Sequence, residues 1–174
     1  MNHAVSLTLE LLEQTAAEYS FRMTVRNEST VKLFLPFSDI TGLKFRNTAT
    51  GQMAEWSTHL FVSAAGGGFT LQANESRSVD WRVRPCSVEP PPETPGDFSD
   101  WDYRRWCIGL EPGSYQVWFE WRVDEDYFDP DSHMRFPELE CAAEREEAIV
   151  WRGVELSNRV PVVHPAPSSD GGDA

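Results

Sequence analysis

Strict alternation of apolar and polar residues recurs along this chain and constrains its fold more than any other feature. Val5, Leu7, Leu9 and Leu11 alternate with Ser6, Thr8 and Glu10, and Tyr19, Phe21, Met23 and Val25 alternate with Ser20, Arg22, Thr24 and Arg26. A period of two puts each set on one face of a strand, so both stretches are half-buried antiparallel strands. Tyr115, Val117, Phe119, Trp121 and Val123 repeat the pattern, and Val79, Trp81 and Val83 face inward against Asp80, Arg82 and Arg84.

Turn chemistry divides these runs. "VRNEST" is a polar turn leading to "VKLFLPF", a short strand that Pro36 marks as an edge. "LKFRNTATGQMAEW" reads as a hairpin around a turn ending in Gly51, "AAGGGF" as a flexible loop, and "LEPGSY" as a tight turn into the aromatic strand. "AIVWRGVELSNRVPVVHP" is a last strand, bent near Gly153 or Asn158. Residues 85–106, rich in proline and acid and then in aromatics, form a long surface loop, and 137–147 form a short helix behind Pro137. The expected fold is all-β, an immunoglobulin-like antiparallel sandwich of about seven or eight strands carrying that loop and that helix. It occupies residues 1–164 as one domain, with a disordered tail over 165–174.

A net charge of −13 argues against nucleic acid, which demands a basic surface, and against anionic membranes. No stretch has the apolar length of a membrane span. "MNHAVSLTLELLEQ" offers neither a basic leader nor an uninterrupted apolar core, so no signal peptide is expected there. Three cysteines, an odd number, suit a reducing compartment, and the cytoplasm is the expected location. In that setting Cys86 and Cys107 are expected to be buried free thiols, a bridge clamping the loop base being the alternative.

The motifs of catalysis are missing. There is no G-x-S-x-G elbow, no lysine-serine pair behind the glycines of "AAGGGF", and no zinc spacing among His3, His59, His133 and His164. Asp124, Asp126, Asp129 and Asp131 form an acidic run, but Arg135 stands where a calcium loop of the EF-hand type needs glutamate. The run reads as a solvated turn, with a calcium site shared with another loop as its alternative. No enzyme and no cofactor are expected.

The residues that do point to function lie in "DFSDWDYRRW". Trp101, Tyr103, Arg104, Arg105 and Trp106 are the side-chain types that dominate protein interfaces. The chain reads as a non-enzymatic binding module presenting the 85–106 loop or a sheet edge to a protein partner, in the manner of an inhibitor or an immunity protein. Its acidity suits a basic partner. The alternatives are an accessory domain of a larger assembly and a calcium-dependent binder. Two edges, "VKLFLPF" and "VPVVHP", leave an edge-paired dimer open beside a monomer.

Trp56, the turn at Asn74-Glu75-Ser76, Trp81, and the run from Leu110 to Tyr115 follow one another in an order that resembles the Bacillus-type intracellular proteinase inhibitor family. The resemblance spans residues 5–123 and implies an immunoglobulin-like fold and an inhibitor-like role, without assigning an inhibitory residue. Asn74 stands where that family carries glycine, and asparagine tolerates the same left-handed backbone.

Overall fold

The computed structural model describes residues 4–37, 40–58, 68–87, 106–123 and 136–166. The alternating runs are strands. β1 (Val5–Gln14), β2 (Tyr19–Asn27) and β7 (Ser76–Pro85) pair antiparallel in one sheet, which continues through β8 (Trp106–Ile108) to β5 (Trp56–Thr58). β9 (Gly113–Val123) forms the middle of a second sheet, with β4 (Leu43–Asn47) on one side and β11 (Gly153–Leu156) and β12 (Val160–His164) on the other. A third, smaller sheet is built from β10 (Ile149–Val150), β3 (Leu33–Pro36) and β6 (Gly68–Leu71). The fold is all-β and sandwich-like, with one helix, α1 (Phe136–Arg145), among the described residues.

The inward faces are those that the alternation marks. Tyr115, Val117, Phe119, Trp121 and Val123 are all buried, as are Tyr19, Phe21, Met23 and Val25. Phe21 meets Phe45 edge to face at 5.9 Å, joining the first sheet to the second, and Phe45 meets Trp56 at 6.3 Å. Farther along β9, Trp121 packs against Phe69 and Trp151 at 6.1 and 6.2 Å. Such tilted aromatic contacts add directional attraction to the area they bury. On β7 Val83 is fully buried and Val79 and Trp81 are half-covered, while Arg84, expected to face outward, is buried at the end of the strand where β7 pairs with β8.

Side chains lock the turns. Asn27 is fully buried at the end of β2, and its Nδ2 donates to Val31 O, Leu71 O and Gln72 O at 2.8–3.1 Å. Its Oδ1 accepts from Ser29 N and Ser29 Oγ. Asn74 has φ of 63°, the left-handed position expected of it. Tyr115 Oη donates to Glu111 O at 2.8 Å and pins the "LEPGSY" turn to the strand it feeds. In the hairpin after β4, Asn47 Oδ1 accepts from Ala49 N and Thr50 N, and Gly51 supplies φ of 74°.

Several expectations are corrected. The described strands number twelve, because short pieces such as β10 and β8 are set by pairing partners and not by a hydrophobic period. β3 is no edge: β6 pairs with it antiparallel and β10 parallel, while Pro36 falls at its last residue, opposite Gly68. That removes β3 as a route to edge pairing. Gly68 and Phe69, read as loop, open β6, where a Cβ on Gly68 would meet the Phe34 ring at 2.5 Å. The second arm of the hairpin leaves after the Arg46–Met53 bridge, and Trp56 joins β8 instead.

Cys86 and Cys107 are not free thiols. They form a disulfide with Cα atoms 4.9 Å apart, because the parallel pairing of β7 with β8 puts Arg84 opposite Cys107 and brings the two backbones together. Cys141, on α1, is free and exposed. The helix itself falls where expected and buries Leu139 and Ala143 against Phe34 of β3. The last strand bends as expected: β11 and β12 pair with the same side of β9 and are separated at Ser157–Arg159.

Candidate interaction surface

Trp101, Tyr103, Arg104 and Arg105 lie outside the described residues, as do Asp124, Asp126, Asp129 and Asp131. Trp106 is placed only by its backbone, as the first residue of β8 opposite Thr58. What is fixed about the 85–106 loop is its base, where the Cys86–Cys107 bridge joins its two ends and Cys86 N donates to Ile108 O at 2.9 Å.

A second surface emerges from the register of the β9 sheet. With Tyr115 to Val123 turned inward, the intervening Gln116, Trp118, Glu120 and Arg122 must face out. β4 sets Lys44 opposite Trp118 and Arg46 opposite Gln116. On the other flank Val160 pairs with Val117, which leaves Arg159, the residue just before β12, beside Trp118. The guanidinium of Arg159 lies over the Trp118 indole at 5.1 Å, and its Nη1 donates to Gln116 Oε1 at 3.1 Å. Trp118 is thus flanked by a lysine on one strand and an arginine on the other. Beyond them the outward residues of β11 and β12 are aliphatic: Leu156, 52% exposed, and Val154 lie toward one end of β9, and Val163, 56% exposed, toward the other.

The charges on this face differ from those across the molecule. On the β2–β7 face Arg22 makes a two-pronged bond to Asp80 at 2.8 Å, and the guanidinium holds that carboxyl below its usual range. On the β9 face Lys44 Nζ donates to Thr41 O and Arg46 Nε to Gly51 O, both backbone carbonyls. Neither these two nor Arg159 meets a carboxylate among the described residues. Glu120 is occupied by Arg122, its neighbour on β9. A chain of net charge −13 therefore gathers three cations with no carboxylate partner among the described residues around one outward tryptophan.

These residues are far apart in the sequence and meet only in the fold. Alternation along β9 marks its inward face and puts Trp118 on the solvent side. An aromatic on the polar face of an amphipathic strand was the available signal. Arg159 and Lys44 gave none, because only strand register brings them to Trp118. Among the described residues no three His, Cys, Asp or Glu side chains gather as metal ligands, and no helix is long and apolar enough to cross a membrane. Comparison with protein-family models, curated proteins and solved structures finds no match.

Proposed function

We propose that this chain is a non-enzymatic protein-binding module of inhibitor-like or immunity-like type. The observation that carries this reading is the Lys44–Trp118–Arg159 rung with exposed Leu156 beside it. Tryptophan and arginine provide much of the energy of protein interfaces, and aliphatic neighbours exclude water around them. The loop tied off by Cys86 and Cys107 is a second contact region of the same module. It carries Trp101, Tyr103, Arg104, Arg105 and Trp106.

The division of the strands between the sheets supports the resemblance to the proteinase inhibitor family. β1, β2 and β7 fall in one sheet and β4, β9 and β12 in the other, the partition of strands A, B, E and C, F, G. The Tyr115 to Glu111 bond corresponds to the tyrosine corner of such sandwiches. The cytoplasmic setting loses the support of the cysteine count once two of three thiols are joined, since such bonds persist mainly in oxidising compartments. Fractionation of source cells, followed by thiol labelling of the recovered protein, decides the compartment.

The test of the binding reading is affinity capture from the source organism's lysate. It compares the wild type with Leu156→Glu and with a chain lacking residues 88–105. A stoichiometric partner lost with Leu156→Glu is the expected result. A partner lost only with the loop deletion moves the interface to the loop, and no partner for the wild type overturns the reading.

A further inference from the structure

The partner of the β9 face has a charge that this face prescribes. Arg159 is held from two directions, by the indole beneath its guanidinium and by Gln116 at Nη1. A guanidinium carries five N–H groups, so the one bond to Gln116 leaves donors that suit a carboxylate. These two contacts favour one placement of the side chain before a partner arrives, which lowers the ordering cost of binding. Lys44 lies two strand spacings from Arg159, about 10 Å, with the edge of Trp118 between them. Arg46 extends the row on the same strand.

We infer that this face receives an acidic segment of the partner protein, with one carboxylate on Arg159, another on Lys44 or Arg46, and an apolar side chain between them against Trp118 and Leu156. The inference rests on the binding-module reading and names the chemistry of its partner. The chain's net charge of −13 works against such a segment at long range. At physiological salt that field fades over about 8 Å, so the three cations act where contact is made. Encounter is consequently slow, and the association rate rises with added salt. A basic partner steered by the whole-chain field behaves in the opposite way.

The experiment is a titration of the isotope-labelled full chain with three probes: a peptide of alternating glutamate and leucine, the same peptide with lysine for glutamate, and oligouridylate. The glutamate peptide is expected to move the Trp118 indole resonance and the amides of Lys44, Gln116 and Arg159. Arg159→Ala and Lys44→Ala are each expected to weaken it about tenfold, with melting temperatures unchanged, while Arg22→Ala on the opposite face leaves it intact. No shift with the glutamate peptide, equal shifts with the lysine peptide, or binding of oligouridylate at these residues overturns the inference. If the glutamate peptide fails while Leu156→Glu still loses the captured partner, the acidic assignment falls and the binding module stands. If no partner is captured but the glutamate peptide shifts this face, the acidic assignment holds and the function reading falls.

Discussion

Asn158 completes both backbone hydrogen bonds of Leu9. Its Oδ1 accepts from Leu9 N at 2.8 Å and its Nδ2 donates to Leu9 O at 2.9 Å. A side-chain amide thus replaces a neighbouring strand on the outer edge of β1, at the point where β11 breaks from β12. Ser157 makes the break possible, since its N donates to Phe119 O and its Oγ accepts from Phe119 N. Asn158→Ala removes both bonds to Leu9 and is expected to cost about 1–2 kcal/mol. A melting curve should show a loss of several degrees, and no loss would mean that water replaces the amide.

Asn27 is a more demanding case. Asn27→Asp keeps the shape but turns an acceptor toward three carbonyls that Nδ2 now satisfies. We expect a loss of about 3 kcal/mol or more at neutral pH, relieved in part in acid as the carboxyl takes up a proton. Urea denaturation at two pH values measures both.

The disulfide closes a loop with a sequence separation of 21. Loop-closure entropy for that length gives about 3 kcal/mol. Reduction, or replacement of both cysteines by serine, should lower the denaturation midpoint accordingly. An unchanged midpoint would show that the β7–β8 pairing alone holds the base of the loop.

Burial holds the His164 imidazole below its usual pKa, against an opposing pull from Glu111, and its Nδ1 shares a 2.6 Å hydrogen bond with the buried Tyr19 hydroxyl. The unfolded chain takes up a proton near pH 6.5, before the folded one does, so stability falls as the pH drops from there to the lower folded value. His164→Gln should flatten that part of the stability profile. A profile identical to wild type would assign the acid loss to other groups.

Glu155 has the opposite sign of interest. Half-burial, and then the nearby Glu28, raise its carboxyl above the ordinary range, so the ionised form disfavours folding. The cost is absent below the ordinary carboxylate pKa of about 4.3 and present once the pH exceeds the folded value. Glu155→Gln is therefore expected to raise stability at pH 7 by about 0.5 kcal/mol and to have no such effect in acid. Equal shifts at both pH values would point to packing instead.

The sequence revealed the sandwich wherever a strand was long and had one wet face, as in β2 and β9, because the period of two encodes burial directly. It did not reveal β3 as a central strand. Pro36 looked like an edge marker, yet its missing N–H costs little at a strand's last residue. Nor did it reveal the work of Asn27 and Asn158, whose partners lie elsewhere in the chain. The cysteine bridge is hidden because residues 21 apart in sequence meet only through the β7–β8 register, and an odd cysteine count points the other way. Trp118 lay in plain view on β9, but its meaning depends on Lys44 and Arg159, which reach it only through strand pairing.

The contact between β1 and the last strands also has a mechanical sense. Leu9 is tied to Asn158, and five residues later Gln14 Nε2 donates to Val163 O, also five residues on. Both strands therefore advance in the same direction along their contact. Tension applied between the start of β1 and the end of β12 loads these ties together, in shear, instead of opening them one after another. The molecule should accordingly resist stretching along that axis better than its few cross-links suggest, and Asn158 is where such a load concentrates.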